Sequence, residues 1–426
     1  MALRTTAPDR SPNISPDRRS SAFPALRHRD FRLLWLAQLV SITGSQMQVV
    51  AINWHVYLLT KSPLALGLVG LVRVVPIVLC SLIGGVVADA IDRKRLMIVT
   101  QSVMLVSAAI LAGITASGLD AVWPIYLLTA IGSAAVAFDN PARQALLPTL
   151  VPAEDFPNAV SLGLVVFNSA MIVGPALAGL LLSYHGPALI YAVNAISFLA
   201  VIIALLFIHA SGRPESGDQA AAKVSFAALG EGLRFVWRTP IIVQTMTLDF
   251  IATFFASATA LLPIFAAEIL KVGARGLGLL AAAPAAGSVI TGLVLARLGT
   301  LKRQGRLVIV SIAIYGAATI VFGLSRWFGL SLVMLAITGA ADTVSTVLRQ
   351  TIRQLVTPNY LRGRMTSVNM IFFMGGPQLG EMEAGAVAAL IGATLSVVTG
   401  GVGCLIAALI AGFTAKSLLR YEGHSQ

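Results

Sequence analysis

The sequence predicts an all-α membrane protein of twelve transmembrane helices in two pseudo-symmetric six-helix bundles. Three observations carry that prediction. Of 426 residues, 57% are hydrophobic and 11% charged, with a mean hydropathy of +0.85, whereas about a quarter of a soluble chain is charged. Apolar windows of about 20 residues, enough to cross a roughly 30 Å hydrocarbon core, recur twelve times along the chain. The second half also repeats signposts of the first at a constant offset.

Residues 1–31 are rich in Ser, Pro and Arg and hold too little apolar surface to fold, so they read as a disordered basic tail. They are not a signal peptide: the first apolar stretch is too long for an h-region, and no small-residue cleavage site follows it. The first bundle, 32–209, takes the apolar runs near 33–59, 64–88, 96–117, 122–146, 157–183 and 187–209. A polar linker, 210–240, follows, with an amphipathic stretch over 226–237 suited to the membrane surface. The second bundle, 241–416, takes the runs near 241–266, 276–298, 306–324, 328–349, 365–391 and 394–415, and 417–426 form a short tail.

The formal charge of +12 would suggest nucleic acid in a soluble domain, but the basic residues flank apolar spans and exclude that partner. With twelve spans, 25 of the 30 Lys and Arg residues fall on the side that carries both termini. Cytoplasmic loops hold that excess, which predicts a multi-pass protein of the bacterial inner membrane with both termini cytoplasmic. Cys80 and Cys404 sit in distant apolar runs and suit neither a disulfide framework nor a zinc site.

The internal repeat has an offset of 206 residues: Arg143 with Arg349, Pro152 with Pro358, Ser161 with Ser367, Gly174 with Gly380, and Gly179 with Gly385. A repeat of two bundles places a substrate site at their interface. Between the second and third spans stands Gly85-Val-Val-Ala-Asp89-Ala-Ile-Asp92-Arg93-Lys94-Arg95. There a glycine permits close helix approach, Asp89 suits a helix N-terminus, and the basic trio suits anionic headgroups. The simpler reading is a short, solvated, charged turn.

These features together resemble the major facilitator superfamily and its loop motif between the second and third helices. The resemblance implies that Asp89 latches to the second half in the outward-facing state, with Arg93 beside it. Ala90 and Asp92 stand where the superfamily usually carries a basic residue and a glycine. In the fifth span, Gly174-Pro175-Ala-Leu-Ala178-Gly179 is similar to the Gly-Pro motif of the superfamily's antiporters, where small residues allow close packing and proline allows a bend. A kinked packing helix explains the same residues. The stretches Phe138-Asp139-Asn140-Pro141-Ala142-Arg143-Gln144 and Gly380-Glu381-Met382-Glu383 resemble the siderophore-exporting branch typified by the enterobactin exporter.

Ionisable groups deep in a span are costly and point to function. Glu381 and Glu383 lie in the eleventh span just after Gly375-Gly376-Pro377. Two residues apart on a helix they point about 200° apart, so at most one lines a path. A carboxyl group buried there favours its neutral form and suits proton exchange; the competing view is a pair of hydrogen-bonded packing groups. Asp249, about two turns into the seventh span, is the second proton candidate, with a carboxylate snorkelling to the surface as the alternative. Arg73, deep in the second span, needs an intramembrane carboxylate or an anionic substrate. Asp342 in the tenth span and Asn53 and His55 late in the first complete the substrate-cavity candidates. Asp139 and Arg143, four apart, can pair as a gate or anchor at the end of the fourth span. Arg349 and Arg353 share that spacing with like charge, which suits loop acids or headgroups.

No phosphate-binding Gly-x-x-x-x-Gly-Lys-Ser/Thr loop and no His-Glu-x-x-His motif is present, so the chain reads as no enzyme and as needing no cofactor or metal. The expected function is secondary active transport: a monomeric antiporter in the lipid bilayer, exchanging protons for a small organic molecule, a siderophore or lipophilic drug. The alternatives are proton-coupled uptake and a receptor or lipid-handling protein without turnover.

Overall fold

The computed structural model describes residues 23–119, 121–210, 212, 234–255, 258–299, 301–358, 361–419 and 421, with side chains throughout except at 81–90, 362–364, 366–368 and 370–374. Most of the expected basic tail, most of the linker with its amphipathic stretch, and the last residues lie outside this range. Among the described residues twelve long helices follow one another: α1 Arg29–Thr60, α2 Pro63–Ala90, α3 Arg93–Ala116, α4 Val122–Leu146, α5 Phe156–His185 and α6 Pro187–Phe207 in the first half. The second half holds α7 Pro240–Phe255, α8 Gly273–Leu298, α9 Gln304–Leu324, α10 Phe328–Val356, α11 Arg362–Ile391 and α12 Ala393–Thr414. Beyond α7 the chain continues as short helical turns, Ala258–Leu261 and Leu262–Ile264, and a π-turn, Phe265–Ile269.

Among the described residues, eleven helices are long and apolar enough to cross a membrane. Outside those eleven stands α11, 30 residues long, whose Asn369, Gln378, Glu381, Glu383 and glycines dilute its apolar character. Local chemistry sets the joints. Asp92 caps α3, its Oδ1 accepting from the backbone N–H groups of Lys94 and Arg95 at 3.0 and 3.1 Å. Gly186 and Gly392, repeat mates 206 apart, turn the chain into α6 and α12 at φ +73° and +87°, where only glycine escapes strain.

The packing obeys the repeat pair by pair. In the first half, α1 lies on α5 and α6, α3 on α4 and α6, and α2 on α4; in the second, α7 lies on α11 and α12, α9 on α10 and α12, and α8 on α10. Among the described residues the halves meet mainly along two seams, α2 against α11 and α5 against α8, with smaller contacts of α1 and α2 on the turns after α7.

The two ends of this assembly differ. Call the end where α1 begins and α12 finishes the terminal end, and the other the far end. At the far end one apolar core runs through both halves, joining Tyr57, Leu66, Ile125 and Tyr191 to Leu261, Phe265, Leu277 and Phe322. At the terminal end, among the described residues, two cores stay apart: Phe31, Met97, Leu146 and Leu205 in the first half, and Ile242, Val308, Ile352 and Leu418 in the second. Burial of apolar surface is thus continuous between the halves only at the far end.

Candidate transport path

Glycines bring the seams together. A Cβ on Gly179 of α5 would stand 2.7 Å from the Cα of Gly278 on α8, and one on Gly385 of α11 would stand 2.6 Å from the Cα of Gly67 on α2. Real Cβ atoms do not approach backbone so closely, so only glycine permits either crossing. Gly179 and Gly385 are the repeat mates seen in the sequence; their partners Gly278 and Gly67 were not singled out there.

Across the closed far end the Tyr57 hydroxyl of α1 donates to Glu268 Oε1 at 2.7 Å, and the Lys61 ammonium lies 4.1 Å from the Tyr57 ring centre. Neither Tyr57 nor Glu268 stood out in the sequence, because an aromatic and an acid near span ends are ordinary interfacial residues. Asn53 is half-buried on the same face of α1, one turn deeper than Tyr57. His55 is buried and hydrogen-bonds through Nδ1 to the Tyr191 hydroxyl of α6 at 3.2 Å, so it faces into the first half and away from the seams.

The two glutamates of α11 separate as helical geometry requires. Glu381 faces α2: a Cβ on Gly70 would stand 2.9 Å from Glu381 Oε2, and Glu381 Oε1 accepts from the Thr259 hydroxyl at 3.3 Å. Thr259 is exposed although Ala258 and Ala260 on either side are buried. Arg73, one turn along α2 from Gly70, attracts Glu381 electrostatically. Glu383 is half-buried and shares a helix face with exposed Leu379 and Leu390. Of the pair, Glu381 is the one at the seam.

A second charged constellation lies inside the second half. Arg349 of α10 donates to Asp249 Oδ1 of α7 at 2.7 Å, with 1% and 5% of the two side chains exposed. Arg353 stands 3.7 Å from Asp249 Oδ2 and donates to Asn369 of α11 at 2.5 Å. Arg349 also donates to Ser345 and Thr346 at 2.7 and 3.0 Å, and Asp342 Oδ1 lies 3.9 Å away with 47% of its side chain exposed. This overturns the expectation that Arg349 and Arg353 serve loop acids or headgroups: both are buried against α7, whose single Asp249 carboxylate meets the two of them, with Asp342 beside Arg349. Asp249 likewise does not snorkel to the surface.

The equivalent place in the first half is built differently. Arg143 donates to Gln38 of α1 at 2.7 Å and to Asn140 at 2.5 Å, while Asp139 is buried and accepts from Thr100 and Gln101 of α3 at 2.9 and 3.0 Å. The expected Asp139–Arg143 pair does not form: α3 offers Asp139 two donors in place of the guanidinium. Where α7 carries Asp249, the repeat mate on α1 is Thr43.

At the turn between α2 and α3, the Asp89 side chain lies outside the described residues. Arg93 donates to the Ala145 carbonyl at 3.1 Å and Lys94 to the Ile208 carbonyl at 2.7 Å. These two bind the end of their own bundle instead of the headgroups expected for them, and Arg95 alone of the trio is exposed. Gly174 lets α5 meet α1, a Cβ there standing 2.6 Å from Gln46 Cβ, and Pro175 is buried with its carbonyl against Gly278. Among the described residues no three His, Cys, Asp or Glu side chains converge as a metal site needs.

Known proteins share this arrangement. A family model described as transmembrane secretion effector matches residues 20–420. The enterobactin exporter EntS of Citrobacter koseri is 26% identical over 401 residues, 93% of this chain and 94% of that one, and EntS of Escherichia coli O1:K1 is 25% identical with the same coverage. Among solved structures, a bacterial homologue of the human lysosomal transporter Spinster, inward-facing and unoccupied, superposes with a TM-score of 0.73 at 15% identity, covering 96% of this chain and all of that one. A bacterial homologue of the iron transporter ferroportin, also inward-facing, gives 0.67 at 15%, covering 92% and 99%. The chain is a transporter of the major facilitator superfamily and belongs to its transmembrane secretion effector family.

Proposed function

We propose that this transporter is a proton-coupled antiporter that exports a small organic molecule, a siderophore or a lipophilic solute, from the bacterial cytoplasm by alternating access. The single observation behind this reading is Glu381: a carboxylate at the α2/α11 seam, beside exposed Thr259 and within the field of Arg73. Opening the far end must part that seam and uncover Glu381 to the outside, where it takes a proton. Reclosing returns it to the seam beside Arg73, and the proton leaves on the inside once the terminal end has opened. With the basic excess inside, the terminal end is cytoplasmic and the described conformation is open to the cytoplasm, ready to load substrate.

Asp342, half exposed beside the buried Arg349, and Asn53 on the seam face of α1 are the groups assigned to substrate contact. Asp249 is assigned to holding α7 on α10, and Glu383, on the opposite face of α11, to packing. Export as the direction, and siderophores as a substrate class, rest on the relatives, which are named as enterobactin exporters. The protein is assigned to work as a monomer, since one chain carries both bundles and both seams.

The test is external pH in everted vesicles that hold an inward-acidic gradient, with siderophores and lipophilic drugs added in turn. Wild type and Glu383→Gln release protons when a substrate is added, and Glu381→Gln does not. Release that persists in Glu381→Gln removes this carboxylate from coupling, and proton uptake in place of release identifies symport.

A further inference from the structure

A groove of about 470 Å³ runs between α7 and α12, lined by no residue of the seam helices α2, α5, α8 and α11. Its walls are Val243, Thr247, Ile251 and Phe255 on α7 against Gly403 and Ala407 on α12, with Ala411 and Ala415 continuing the α12 wall towards the terminal end. The two helices touch at the deep end, where Gly403 meets the Phe255 ring and the Cys404 thiol donates to the Ala252 carbonyl at 3.5 Å. Nearer the terminal end, small residues on α12 leave the space open as far as the turn Lys416–Leu419, where the Leu418 backbone N–H donates to Gln244 Oε1 at 3.3 Å.

Three features specify what fills it. Val243 to Phe255 covers about 18 Å of helix, close to the roughly 15 Å depth of one leaflet. Polarity is graded: Gln244, Thr247 and Thr414 line the end nearer the termini, while Ile251, Phe255, Gly403 and Ile406 line the deep end. The mouth is basic and interfacial. Exposed Trp237 and Arg238 precede α7, exposed Lys416 follows Ala415 directly, and the sequence has no Asp or Glu over 234–248 or 403–421. An apolar slot one leaflet deep, with hydrogen-bonding groups near its mouth and cations at the rim, matches an acyl chain, its ester and a phosphate in that order.

We propose that the α7/α12 groove binds one anionic phospholipid, its acyl chain in the slot and its phosphate between Arg238 and Lys416. This site is separate from the transport path and does not depend on the proposed direction or coupling. Because α7 also carries Asp249 on its buried face, a bound chain braces the helix from the side opposite Arg349.

The experiment titrates the purified full-length transporter with phosphatidylglycerol and with phosphatidylethanolamine of the same chains and reads bound lipid by native mass spectrometry. Wild type binds one phosphatidylglycerol more tightly than phosphatidylethanolamine. Arg238→Gln with Lys416→Gln reduces that preference by about twenty-five-fold, at roughly fivefold per basic side chain. Filling the slot by Ala407→Leu, or from the exposed wall by Thr247→Trp, weakens both lipids at least tenfold. Equal binding by wild type and both slot-filling variants, no preference for the anionic lipid, or displacement of the lipid by inorganic phosphate at equal concentration would each overturn the site.

Discussion

Asp249 and Arg349 meet at 2.7 Å almost out of reach of solvent, and Arg353 completes the arrangement from one turn further along α10. Removing one member of such a group leaves charge buried without a partner, which costs about 3–5 kcal/mol. Asp249→Asn therefore lowers the thermal unfolding temperature sharply, because it strands two guanidiniums. The double variant Asp249→Asn, Arg349→Gln melts above the sum of its single losses, as a coupled pair requires; additive losses measured by scanning fluorimetry would sink the pairing. Tyr57→Phe acts on the far-end closure instead. It removes one hydrogen bond to a charged group, worth about 1.5–3 kcal/mol, and shifts the population towards far-end opening, read as faster modification of a cysteine at Thr259 by an impermeant reagent added outside. Residue types were legible in the sequence here, and partners were not. Asp249, Arg349 and Arg353 each stood out, but which charge meets which depends on how α7 and α10 are rotated against each other, and packing alone decides that.

The helices themselves were legible because lipid leaves the backbone no other way to satisfy its hydrogen bonds, and apolar length then locates each span. The repeat was legible for the same reason that Gly186 and Gly392 sit 206 apart: both halves need the same turn at the same place. Half of each seam was hidden. Gly179 and Gly385 obey the offset, whereas their partners Gly278 and Gly67, on the mated helices α8 and α2, differ by 211, so a search at 206 passes over them. The crossings make an element-level prediction. Gly179→Ala or Gly385→Ala puts a Cβ within 2.7 or 2.6 Å of opposing backbone, an overpacking cost of about 1–3 kcal/mol that falls on the closed far end. Outside labelling of a cysteine at Thr259 rises about tenfold in either variant. Gly132→Ala, with nothing within 4 Å of its new Cβ, leaves labelling unchanged. Equal labelling in all three would show that the seams open and close without these contacts.

At the scale of the molecule, one core joins the halves at the far end and two separate cores hold them at the terminal end. A protein interior resists continuous deformation, so a switch between the two access states keeps each half's own packing and exchanges contacts between the halves, along α2/α11 and α5/α8 and where α1 meets the turns after α7. Rocking of that kind moves the two ends in opposite senses. Spin labels on exposed Arg95 of α3 and Arg303 before α9 report the terminal end, and labels on exposed Ser117 after α3 and Arg326 before α10 report the far end. When a transported compound and an outward-acidic gradient drive turnover, the first distance distribution gains a shorter component and the second a longer one in the same sample. Labels at Arg95 and Ser117, both on the first half, hold a single distance throughout. A change in that internal distance of the size seen between halves would mean that the bundles deform, and the two cores of the terminal end would then have to reorganise with every cycle.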